Sequence, residues 1–212
     1  MRISENSCIA GIGSALTFIG EIVAKLGVHY WPRYTAVPVD QCYWVVPGRL
    51  LAQSRPVGTL PWEQQRRFTN VLEAGIRHVI DLTPDGSIGR GGSVFNGKGE
   101  RDRCVREAGS GLTFSVCPIQ GADSRERDRM VAILDEIDRC MAFRKPVYIH
   151  CRAGQETADT VVGCYLARHA FASAERIFDI LHGLREDREE TARDRLSCSG
   201  HSEMVLSWNI GE

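Results

Sequence analysis

The amino-acid sequence predicts an α/β fold, a central mainly parallel sheet flanked by helices. Three observations predict it. Short apolar runs with strand character, IRHVIDLT (76–83), LTFSVCPI (112–119) and PVYIHC (146–151), alternate with helical segments. Parallel neighbours need such crossovers, and the resulting sheet is covered on both faces. The segment 124–143 puts Met130, Ile133, Leu134, Ile137 and Met141 on one face of a helix. A chain of 212 residues with 43% hydrophobic residues can bury the core of one such domain.

The elements follow in order. Residues 1–27 read as an N-terminal extension and 28–212 as a single domain. Within the extension, 6–20 carry no charge but are too few to span a bilayer, which takes ~20 apolar residues. Glu5 spoils a basic signal start, and no clean small-residue cleavage site precedes Glu21. A helical or partly ordered extension is expected; a secretory signal or a membrane-surface helix are the alternatives. Residues 28–44, aromatic and proline-containing, read as a packed irregular lead-in. VVPGRLLAQ (45–53) reads as two strand pieces around a Pro-Gly turn. PWEQQRRFTNVLEAG (61–75) reads as a helix, with Pro61 in its first turn and Gly75 as its C-cap. The glycine- and serine-rich stretch 84–101 is the one long loop, and a short helix is expected over 100–108. Further helices are expected at about 158–169 and 173–186, and a short one ends near Trp208.

Charge and cysteine usage exclude some classes. Against 27 acidic residues stand 26 basic ones, for a formal charge of −1, with no basic stripe, so no nucleic-acid partner is expected. Eight cysteines, at 8, 42, 104, 117, 140, 151, 164 and 198, form no CxxC pair, and several lie in apolar runs. That pattern favours reduced, buried thiols and a cytoplasmic location over a disulfide framework. The histidines at 29, 78, 150, 169, 182 and 201 have no ligand spacing with the cysteines, so no metal and no cofactor are expected.

The chemistry concentrates in HCRAGQETADT (150–160), between the apolar run ending at His150 and the helix that follows. In α/β sheets ligands bind beyond the carboxyl ends of strands. A strand-to-helix loop there turns backbone N–H groups inward, under the positive end of the next helix, and forms an anion cradle. The same field lowers a cysteine's pKa, to ~3.5–7.5 in such sites, so a thiolate exists at neutral pH. Cys151 is therefore the candidate nucleophile; a small core residue at a strand end is the other reading.

These residues, with YWVVPGRLLAQ, AGIRHVIDLT, the CPI strand end, KPVYIHCRAG and TVVGCYLARH in the same order, resemble the cysteine-dependent tyrosine and dual-specificity protein phosphatases, and among them a small bacterial phosphatase-like family. The family signature is HCxxGxxR followed by Ser or Thr, and the resemblance runs from about residue 40 to 208. It implies Cys151 as nucleophile, through a phosphocysteine intermediate, and His150 as the residue that tunes it. It also implies that main-chain N–H groups of Arg152, Ala153, Gly154, Gln155, Glu156 and Thr157 hold the phosphate. A phosphorylated protein or a small phosphate ester would be the partner.

The departures fall on the chemistry. The signature arginine position is Thr157, which cannot supply a planar two-pronged clamp. The next hydroxyl position is Ala158, the small residue before the arginine is Glu156, and Asp159 stands where glycine is usual. Glu156 would repel a phosphate dianion at close range, and Asp159 adds charge or caps the helix. The position of the family's general acid falls on Gly121; Asp123, two residues on, is the candidate stand-in or a helix N-cap. Impaired or lost phosphatase catalysis with a binding or regulatory role is the expectation. One alternative is an active enzyme in which Arg152, Arg90, Lys98 or Arg101 replaces the missing fork. A remote one, suggested by CRAGQ, is rhodanese-like sulfur transfer. His201 is a candidate pocket residue, or a surface or cap residue.

Overall fold

The computed structural model describes residues 37–38, 42–53, 61–83, 102, 105–106, 109–119, 124–151, 155–185 and 200–211. The expected extension 1–27, and the segment 84–101 read as a loop, lie outside the described residues. Five strands form one sheet in the order β1-β2-β5-β3-β4: β1 Cys42–Val46, β2 Leu50–Gln53, β3 His78–Asp81, β4 Thr113–Val116 and β5 Val147–His150. The β1–β2 pair is antiparallel; β2–β5, β5–β3 and β3–β4 are parallel. The expected mainly parallel sheet is therefore present.

Val46-Pro47-Gly48-Arg49 makes the turn between β1 and β2, closed by Arg49 N–H donating to Val46 O at 2.9 Å. Gly48 has φ 67°, as the third residue of a type II turn requires, and Pro47 sits where its fixed φ fits. β1 begins at Cys42, inside the stretch read as irregular. Its alternating side chains, Tyr43 to one face and Trp44 to the other, are buried on both sides of the sheet and hold it in the strand.

The helices are α1 Pro61–Glu73, α2 Ser124–Ala142, α3 Gln155–Arg168, α4 Ala174–Arg185 and α5 Gly200–Leu206. Phe68 and Val71 of α1 pack with Trp44, Leu51, Val79 and Tyr148 on one face of the sheet. On the other face Ile80, Val147 and Ile149 pack with residues of α2, α3, α4 and α5. Gly75, φ 88°, ends α1 as expected: its N–H donates to Leu72 O and that of Ile76 to Val71 O, a Schellman motif. The same paired bonds end α2 at Arg144 and α3 at Ala170, where non-glycine residues take φ 54° and 53°. Among the described residues no helix is long and apolar enough to cross a membrane.

α3 lies at the centre. Every residue from Thr157 to Ala167 is buried, so the helix is enclosed all round rather than amphipathic. It starts three residues before the expected 158, because Gln155 and Glu156 already take helical backbone. Gly163 permits the close approach of α5: a Cβ there would stand 2.8 and 3.0 Å from the two methyls of buried Val205. Gly163→Ala gains ~0.8–1.0 kcal/mol of helix propensity and meets an overpacking cost of ~1–3 kcal/mol. The variant is expected to be less stable than wild type, by a lower urea midpoint at unchanged slope.

Candidate active site

β5 is the middle strand, and its carboxyl end carries the sequence His150-Cys151. Cys151 follows the last strand residue, is 2% exposed, and belongs to the apolar cluster that includes Ile149, Ala158 and Val162. α3 begins at Gln155, so its amino end lies four residues from Cys151. Arg152, Ala153 and Gly154 lie outside the described residues, as do Gly121, Asp123, Arg90, Lys98 and Arg101. For Gln155 and Glu156 the backbone alone is described, in the first turn of α3.

His150 points to the opposite face from Cys151, as alternation along a strand dictates. Its Nδ1 lies 3.3 Å from Asp81 Oδ1, and its ring meets that of Tyr148 edge-on at 6.0 Å. Asp81 ends β3 directly beside His150 in register, and its Oδ1 also accepts the Thr83 N–H at 3.0 Å. Burial pushes the Asp81 carboxyl up, but the hydrogen bond and charge of His150, with the Thr83 bonds, outweigh it and hold the group below its ordinary value of 3.8. Tyr148 donates to Gln53 Oε1 at 3.2 Å, with Cys42 Sγ 3.7 Å from its hydroxyl. Gln53, Tyr148, His150 and Asp81 thus line the carboxyl ends of three adjacent strands, all buried.

Three polar side chains of α3 are buried near its start: Thr157, Asp159 and Thr160. Asp159, 1% exposed, accepts a hydrogen bond from Tyr43 Oη at 2.8 Å. Its carboxylate thus ties the second turn of α3 to β1. Cys117, just past β4, differs from a nucleophile: burial, then the Glu136 and Asp81 carboxylates, push its thiol up to about 11. His201, in the first turn of α5, is half-buried, and its Nδ1 has no partner among the described residues. Two other histidines pair with carboxylates away from this edge, His78 with Glu136 at the start of β3 and His169 with Asp138 beyond α3. Asp81 was not singled out from sequence; the signal was DLT at the end of a strand, which has meaning only once β3 and β5 are known to be neighbours.

Two outcomes follow from these contacts. Because the folded carboxyl of Asp81 is depressed, it contributes stability that is present above pH 3.8 and lost as pH falls through its folded value. Asp81→Asn is expected to flatten the acid limb of a stability-against-pH curve, read by urea unfolding. Tyr43→Phe removes a hydroxyl that donates to buried Asp159 and is expected to cost ~1–3 kcal/mol in the same assay.

A family model described as the DSP-PTPase phosphatase domain of Swiss Army Knife proteins (PTP-SAK) matches residues 39–203. Among solved structures, the core catalytic domain of the PP-IP phosphatase SIW14 from S. cerevisiae, in complex with citrate, aligns with TM-score 0.54 at 14% identity, over 82% of this chain and 89% of that one. A DUF442 protein from Shewanella putrefaciens CN-32 aligns with TM-score 0.51 at 20% identity, over 80% and 88%. PTPMT1 in complex with PI(5)P aligns with TM-score 0.51 at 17% identity, over 78% and 97%. At these identities the likeness is one of fold. No match is found among curated proteins.

Proposed function

The chain belongs to the DSP-PTPase phosphatase domain family, and from that premise we propose a phosphatase-fold protein whose catalysis is impaired or lost and which serves in binding or regulation. Position 157 carries the reading. A threonine stands at the place of the signature arginine, its side chain buried on a helix enclosed by core. A hydroxyl offers one donor and no charge, where a guanidinium offers five donors in a plane. Removing one preorganised donor from an oxyanion site costs ~2.7–4 kcal/mol, ~10²–10³ in rate.

The neighbouring positions act in the same direction. Ala158 belongs to the apolar cluster and has no hydroxyl to help a thiolate leave. Asp159 adds a buried negative charge to the helix whose amino end a phosphate would draw on. No general acid stands at Gly121. What persists is Cys151 at the end of the central strand, followed at once by a helix, which is the frame for holding an oxyanion. The ligand class we propose is a phosphorylated protein or a small phosphate ester. Two structural neighbours bear names tied to such esters, a PP-IP phosphatase and a protein complexed with PI(5)P. Inositol phosphates are therefore the first small probes.

Hydrolysis of an aryl phosphate by purified wild type and Cys151→Ser, side by side, tests this. Wild type is expected to be no faster than the variant, while inorganic phosphate slows iodoacetamide alkylation of Cys151. Turnover that Cys151→Ser abolishes would overturn the proposal. It would favour an active enzyme with Asp123 as acid and Arg152 or a basic residue of 84–101 as the fork.

A further inference from the structure

We propose that Asp81 is a positioning residue for the strand end that carries Cys151, acting through His150 and through the backbone at Thr83. The inference rests on the reading of Cys151 as the thiol of the site.

One oxygen serves both contacts. Asp81 Oδ1 accepts the Thr83 N–H at 3.0 Å and faces His150 Nδ1 at 3.3 Å. On the main chain, Leu82 N–H donates to His150 O at 2.8 Å. Residues 81–83 therefore grip residue 150 twice, by its carbonyl and by its ring. Both side chains are nearly sealed from solvent, each at 7% exposure. The Tyr148 ring stands against His150 on its own strand, with its hydroxyl bonded to Gln53. The imidazole is thus bounded by β5 and β3 and fixed by a carboxylate.

That arrangement decides how His150 can influence Cys151. The ring lies on the α1 face of the sheet and the thiol on the α3 face. The ring therefore acts through the peptide that joins the two residues, by setting the direction in which the chain leaves β5. Small displacements of a reacting group lower reactivity steeply. A buried carboxylate is costly unless paired, and an apolar pair could close the sheet at less cost, so an ionisable group here points to a role beyond packing.

The test uses full-length wild type, Asp81→Ala and Asp81→Asn, alkylated with iodoacetamide at neutral pH and read peptide by peptide by mass spectrometry. Cys164, fully buried in α3, reports general loosening. Asp81→Ala is expected to slow Cys151 alkylation about tenfold with Cys164 unchanged. Asp81→Asn, which keeps an oxygen for both donors, is expected to restore it. An unchanged Cys151 rate in Asp81→Ala, Cys151 and Cys164 accelerating together, or an Asn variant no better than Ala overturns the proposal. If Asp81→Ala does not fold, the imidazole nitrogen shifts of His150 in wild type decide: a protonated Nδ1 is expected, and a bare Nδ1 overturns it. No phosphatase turnover enters these readings. A failure of phosphate to protect Cys151 bears on the proposed function alone.

Discussion

Successive residues of a strand point to opposite faces of its sheet, and the end of β5 obeys this with His150 and Cys151. One residue belongs to a polar row running across Gln53, Tyr148, His150 and Asp81. The next belongs to the apolar cluster beneath α2, α3 and α4. A shift of β5 by one residue would exchange them, placing a thiol among polar groups and an imidazole in the core. The parallel register with β2 and β3 prevents it, since Tyr148 and Ile149 each fill the face their neighbours require. The candidate site is therefore a by-product of sheet register before it is a matter of loop chemistry.

The second constraint is α3. A helix buried on all sides has little room for polar residues, yet Thr157, Asp159 and Thr160 are sealed in its first turns. Tyr43 reaches from β1 to hold Asp159, so the strand farthest along that side of the sheet is tied to the helix that follows Cys151. Gly163 then lets α5 press against the other flank of the helix. α3 is thus held near its start by a phenol and in its second half by close packing.

Much of this was legible in the sequence. The apolar runs at 76–83, 112–119 and 146–151 correspond to β3, β4 and β5; β3 and β5 are buried on both faces, which leaves short, nearly continuous apolar runs to read. Pro47-Gly48 and Gly75 announced a turn and a helix end, since few residues accept those angles. The ends of α2 and α3 were read to within one residue, at 143 and 169, although Arg144 and Ala170 take the same left-handed conformation without glycine to mark it. That Cys151 stands at a strand end ahead of a helix was readable, because an apolar run before it and a helical pattern after it are local signals. The Asp81–His150 pair was not, because 69 residues separate its members and only sheet order brings them together. Asp159 was read as a charge at the helix start; its burial against Tyr43 depends on a partner 116 residues away. Asp123 and the glycine-rich segment lie outside the described residues.

The strand order has a consequence for how the molecule is made. Among the described residues β5 is the last strand in sequence and the central one in the sheet, between the β1–β2 hairpin and the β3–β4 pair. Until residues 147–150 have left the ribosome, the two strand pairs cannot be hydrogen-bonded into one sheet, although α1 can already pack against Trp44 and Leu51 of one and Val79 of the other. The inner edges of β2 and β3 stay open, each a row of unpaired backbone groups inviting the wrong neighbour. Arrival of β5 closes both edges at once and in the same step delivers Cys151 to its place. The sheet and the thiol's surroundings therefore come into being together, when β5 joins its two neighbours.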